Sequence, residues 1–127
     1  MKLQSVESSE APAAAGGYSQ ALHLSEYSRL LFISGQIPVR IDGTVPDDFA
    51  AQCRLVWHHI EAQLKAADMT LANLVKVTTY LADRGNREEN SRIRQEVLGD
   101  SNPSLTIIIT GIYDEGWLLE IEAIAAA

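Results

Sequence analysis

The side chains with the greatest chemical reach in this chain are Glu120, Tyr18 and Ser34. Glu120 and Glu122 alternate with Leu119 and Ile121, so on a strand both carboxylates share one face and the aliphatic pair the other. Such a carboxylate is either a solvent-facing charge or, in a cleft, a general acid–base group. Tyr18 follows Gly16-Gly17, which permit backbone angles closed to other residues. Its ring either anchors the N-terminal segment to a sheet or packs on a flat ligand, and the two roles are compatible. Ser34-Gly35 ends an apolar run. The pair is either a turn or a hydroxyl beside free amides that can orient a carbonyl, carboxylate or imine. No nearby residue resembles the base of a triad, so Ser34 is not read as a nucleophile.

Leu105 and Ile107 follow Asn102-Pro103 and share one face of an expected strand, where they offer neither charge nor hydrogen bonds. Cys53 is the single cysteine, which excludes an intrachain disulfide and a multi-thiolate metal site. It falls on an apolar helix face and reads as a buried small hydrophobe. His58 and His59 are adjacent and point about 100° apart on a helix, a poor metal pair; His23 is isolated. No metal site is expected.

These groups need a scaffold, and 127 residues suit a single domain over 1–127 with a substantial core. The chain is 46% hydrophobic and 21% charged, with 17 acids against 10 bases and a net charge of −7. That balance disfavours binding to nucleic acid, which requires cations opposite phosphates. No apolar run reaches membrane-spanning length, and Met1 to Glu10 lacks the order of a secretory signal. A cytosolic (cytoplasmic) location is expected.

Residues 1–17 show no clear period and are expected to be partly extended. Leu22–Leu24 and Leu30–Ile33 read as strands, the second stopping at Ser34-Gly35. A first helix is expected from Asp47 or Asp48, with Phe49, Cys53, Val56, Trp57, Ile60, Leu64 and Ala67 on its apolar face and Gln52 elsewhere. Val75–Leu81 reads as a strand. A second helix is expected over Arg87–Leu98, capped by Asn86 and stopped by Gly99, followed by strands at Thr106–Thr110 and Trp117–Ala125. Arg29, Arg92 and Arg94 read as solvated charges. Two helices can cover one sheet face, yet Leu30–Ile33 and Ile107–Ile109 are apolar at consecutive positions. Both faces of those strands then need burial, and self-association supplies the missing layer.

Four strings, in order along nearly the whole chain, resemble the reactive intermediate deaminase family (Rid, also YjgF or UK114). They are Ala11-Pro12-Ala13 with Gly17-Tyr18-Ser19-Gln20-Ala21; Phe32-Ile33-Ser34-Gly35-Gln36-Ile37-Pro38; Leu74-Val75-Lys76-Val77-Thr78-Thr79-Tyr80-Leu81; and Leu119-Glu120-Ile121-Glu122-Ala123-Ile124-Ala125. The resemblance implies an α+β, chorismate-mutase-like fold: a mixed sheet with two helices on one face, assembled as a homotrimer with small-molecule clefts between subunits. It also implies hydrolysis of enamines and imines to keto acids and ammonia, without a metal or organic cofactor.

Residue by residue, Glu120 matches the family's water-associated glutamate, Tyr18 its cleft tyrosine, and Ser34 with Gly35 its cleft floor. Leu105 stands where the family has a carboxylate-binding arginine, and Ile107 where cysteine is common. An arginine fork grips a carboxylate through two charge-assisted bonds; leucine makes none. Losing such a bond costs roughly 1.5–3 kcal/mol, so efficient hydrolysis of 2-imino acids is not expected. The family's helix asparagine aligns with Ser91, beside Asn90, and is carried to neither. Trp117 reads as interface packing or as a lid. A non-catalytic small-molecule binder or regulator is the competing function; roles in translation inhibition or RNA cleavage fit least well.

Overall fold

Burial along two strands sets the frame of the protein, a computed structural model describing residues 1–127. On β4 (Leu74–Leu81; β1–β3 precede it, below) Leu74, Val77, Thr79 and Leu81 are buried; on β6 (Leu119–Ala126) Leu119, Ile121, Ala123 and Ala125 are buried. The residues between them, including Tyr80, Glu120 and Glu122, point to the opposite face.

The full order is β1 (Lys2–Val6), β2 (Ala21–Ser25), β3 (Leu30–Gln36), α1 (Phe49–Ala66), β4, α2 (Arg87–Leu98), β5 (Ser104–Ile109) and β6, with 3-10 turns before β4 and before α2. The main sheet is mixed, in the order β3-β6-β4-β5; β4 and β5 run parallel and the other neighbours antiparallel. β1 and β2 form a separate antiparallel pair. The first was not expected as a strand: its residues are all exposed, so no alternation marks them. Backbone pairing with β2 alone orders them.

The Asp48 carboxylate caps α1 by accepting from the Ala51 amide at 2.8 Å. Phe49, Cys53, Val56, Trp57, Ile60 and Leu64 then pack on the sheet as their spacing predicts. Gln52 corrects that pattern, because it is buried too. Its amide donates to the Pro46 and Gly116 carbonyls at 2.8 and 3.0 Å and accepts from the Leu118 amide at 2.8 Å. A polar side chain thus occupies a core position by fastening the approach to β6. α2 has the expected bounds, but the Asn86 side chain makes no capping bond.

Both helices lie on one face of the sheet. The other face exposes Leu30, Phe32 and Ile108, with Phe32 at 70%. This is the uncovered apolar surface that the runs at Leu30–Ile33 and Ile107–Ile109 imply.

Candidate functional site

β3 does not stop at Ser34-Gly35; it continues to Gln36 through a bulge. Ile33 pairs with Ala123 and Gln36 with Ile121, leaving Ser34 and Gly35 opposite Glu122 alone. The bulge creates room for Glu120. A Cβ built on Gly35 would lie only 2.7 Å from Glu120 Cδ and 3.0 Å from Cγ, so the carboxylate rests on bare backbone. Ser34 is exposed on this face. It borders a hollow of about 270 Å³ with Phe32, Lys76, Thr78, Glu122 and Ile124. Beside it the Tyr80 hydroxyl donates to Glu122 Oε1 at 2.9 Å, and that bond to a carboxylate pushes the phenol's pKa up.

The remaining expected site residues lie elsewhere in the chain. Leu105 pairs with Val77 and Ile107 with Thr79, which puts both on the helix-covered face, half-buried against the core. Tyr18 belongs with them. Ser19 forms a parallel bridge to Ser104, its amide donating to the Pro103 carbonyl at 3.1 Å and its hydroxyl to Asn102 at 2.7 Å. That ties Tyr18 to the start of β5. Its hydroxyl accepts from the Ala15 amide at 3.3 Å, and Gly17 packs against the Gln95 side chain of α2. One chain therefore holds two groups: Ser34, Gly35 and Glu120 on the open face, and Tyr18, Leu105 and Ile107 at the β5 edge on the other.

Arg94 corrects the sequence reading. It is 3% exposed, not solvated, whereas Arg92 is exposed and pairs with Glu89 and Glu96 as a surface charge should. Arg94 joins none of the salt bridges, and its Nε and Nη1 are buried without a partner. Burial weakens the guanidinium's hold on its proton, opposed by the nearby Tyr18 and Cys53. One helical turn earlier, Asn90 is 1% exposed with Nδ2 unpartnered, its Oδ1 3.9 Å from Cys53 Sγ. Trp57 Nε1 and Thr79 Oγ1 are buried and unpartnered as well. The signal was present in the sequence: Asn90, Ile93, Arg94 and Leu98 recur at helical spacing and form the buried side of α2. Residue type concealed it.

Cys53 is fully buried, and desolvation pushes its thiol up to about 12. Trp117 is half-buried, its ring centroid 6.4 Å from that of Tyr113, which is 95% exposed. His58 is exposed, and the His59 ring nitrogen lies 2.8 Å from the Val39 carbonyl. No group of three or more His, Cys, Asp or Glu side chains converges in a way that could hold a metal ion. No helix is long and apolar enough to cross a membrane.

The profile of the family described as Endoribonuclease L-PSP matches residues 8–127. A RutC family protein of Pyrococcus horikoshii is 36% identical over 117 residues, covering 91% of this chain and 90% of that protein. The conserved Rid protein YyfB of Yersinia pestis, of unknown function, superposes with a TM-score of 0.86 over all of both chains at 23% identity, a likeness of fold. E. coli TdcF with bound serine superposes with a TM-score of 0.73 at 27% identity, covering 98% of each chain. Carrying the α+β fold of these proteins and a family match over nearly its whole length, this chain belongs to the Rid (YjgF/UK114) family.

Proposed function

We propose that this protein hydrolyses an imine or enamine at a cleft completed by neighbouring copies in a homotrimer. The observation that carries the proposal is the Glu120 carboxylate lying on the bare backbone of Gly35, one residue from the exposed Ser34 hydroxyl. Glycine at position 35 lets the carboxylate lie against the bulge, beside the Ser34 hydroxyl, where a side chain would displace it. Glu120 takes a proton from water as the oxygen adds to the imine carbon. The carbinolamine then collapses to a carbonyl compound, and the proton returned to nitrogen lets ammonia leave. Ser34 orients the imine, while Tyr18 packs on its plane.

Two observations support a shared cleft. The site residues of one chain fall into two groups on opposite sheet faces, and the Phe32 face is uncovered. Rotational symmetry can set the Glu120 group of one copy beside the Tyr18 group of the next. The serine bound to TdcF supports a ligand of amino-acid size. Leu105 argues against efficient use of short 2-imino acids. It also favours a second reading, a binding or regulatory protein that keeps the cleft without turnover. RNA cleavage fits poorly with a net charge of −7 and with Glu120 and Glu122 on the open face.

The test supplies imines generated in situ by an amino acid oxidase from a panel of amino acids. Accelerated ammonia release with at least one of them, reduced about 100-fold or more in Glu120→Gln, is the expected result. No acceleration with any imine, while small-molecule binding persists, would establish the binding reading instead.

A further inference from the structure

We propose that Arg94, with Asn90 beside it, is the anion-binding element of this protein's cleft, gripping a carboxylate from the helix layer rather than from strand β5. This deepens the imine-hydrolase reading and rests on it for the identity of the cleft. The observation is independent of that reading. A guanidinium 3% exposed, with two nitrogens unpartnered and no carboxylate in a salt bridge with it, is costly to bury and gains nothing from the chain itself. Asn90 Nδ2, one turn away on the same buried face, is a second unsatisfied donor. Neither residue's free donors find an acceptor within the chain, and an anion supplies one.

The location suits a ligand. Tyr18 lies close enough to Arg94 to oppose the effect of burial on the guanidinium, and it is half-buried at the start of β5. Leu105 and Ile107, on the helix-covered face of the same strand, provide an apolar wall. An acid group reaching Arg94 penetrates below the surface, past Tyr18. Because Arg94 is 3% exposed, a carboxylate attached directly to the imine carbon reaches it less readily than one carried on a short chain. The substrate class is therefore an imine carrying an acid group two or three carbons from the reacting centre, as a dicarboxylic amino acid would yield.

Isothermal titration of the intact protein with glutarate, using acetate as the short control, tests this. Glutarate should bind at least tenfold more tightly than acetate. Arg94→Met should lose at least tenfold of that affinity, Arg94→Lys should recover part of it, and Arg92→Met, at the exposed arginine two positions away, should leave it unchanged. If Arg94→Met does not fold, Arg94→Lys and Asn90→Leu carry the comparison, each expected to weaken glutarate and not acetate. Equal affinity for the two acids, or glutarate binding untouched in the Arg94 and Asn90 variants, would overturn the assignment and leave Arg94 a structural cation. Binding that follows Arg94 without turnover of any imine would sink the hydrolase reading and keep this one.

Discussion

The Glu120 carboxylate occupies the space that any side chain at position 35 would need, so Gly35 and Glu120 form one unit of the fold. A methyl group there would lie 2.7 Å from Glu120 Cδ. Gly35→Ala should therefore expel the carboxylate from the bulge. The backbone at Gly35 is not in the left-handed region, so the effect is steric rather than conformational. Overpacking of this kind costs about 1–3 kcal/mol. Chemical denaturation should show a loss in that range, and imine hydrolysis should fall as in Glu120→Gln. Full activity in Gly35→Ala would remove Glu120 from the mechanism.

Leu105 is half-buried on an edge strand, a position where a longer side chain can reach outward. The wild-type protein should hydrolyse 2-iminopropionate weakly. Leu105→Arg should raise that rate at least tenfold if the rest of the cleft is competent, because a fork beside the site adds roughly 1.5–3 kcal/mol of charge-assisted bonding. A high wild-type rate in a coupled assay would refute the role assigned to the leucine.

Phe32 is 70% exposed on the edge strand β3 of an uncovered sheet face that also exposes Leu30 and Ile108. Phe32→Glu introduces a charge that a subunit interface cannot bury cheaply. Analytical ultracentrifugation should find a trimer for the wild type and smaller species for the variant. A monomeric wild type would end the shared-cleft proposal.

The Cys53 thiol is fully buried and raised to about 12. A disulfide reagent at pH 8 should leave it unlabelled in the folded protein, labelling only as fast as the chain opens. Its ordinary value is 9.0, so the folded state favours the protonated thiol. That contribution is complete below pH 9 and is lost as pH rises toward 12. Denaturant midpoints for the wild type and Cys53→Ala should converge across that alkaline window.

Alternation and spacing carried much of the architecture. Leu119, Glu120, Ile121 and Glu122 already assign the carboxylates to one face, and Phe49, Cys53, Val56, Trp57, Ile60 and Leu64 mark the buried side of α1. These features are legible because period 2 and period 3.6 are local properties of a chain. β1 escaped notice because its partner is 15 or more residues away and nothing in its own burial alternates.

The deepest divergence concerns Arg94 and Leu105. Residue type does not distinguish Arg94 from Arg92; only the helical spacing of Arg94 with Asn90, Ile93 and Leu98 does. The packing of α2 against α1, with Ile93 and Leu98 in the shared core, turns one toward solvent and the other inward. Likewise Leu105 and Glu120 lie on opposite sheet faces because register pairs Leu105 with the inward Val77 and Glu120 with the outward Tyr80, and the distant strand β4 sets both registers. Local pattern sets which residues share a face. Strand order and helix docking, which depend on distant segments meeting, set what those faces meet.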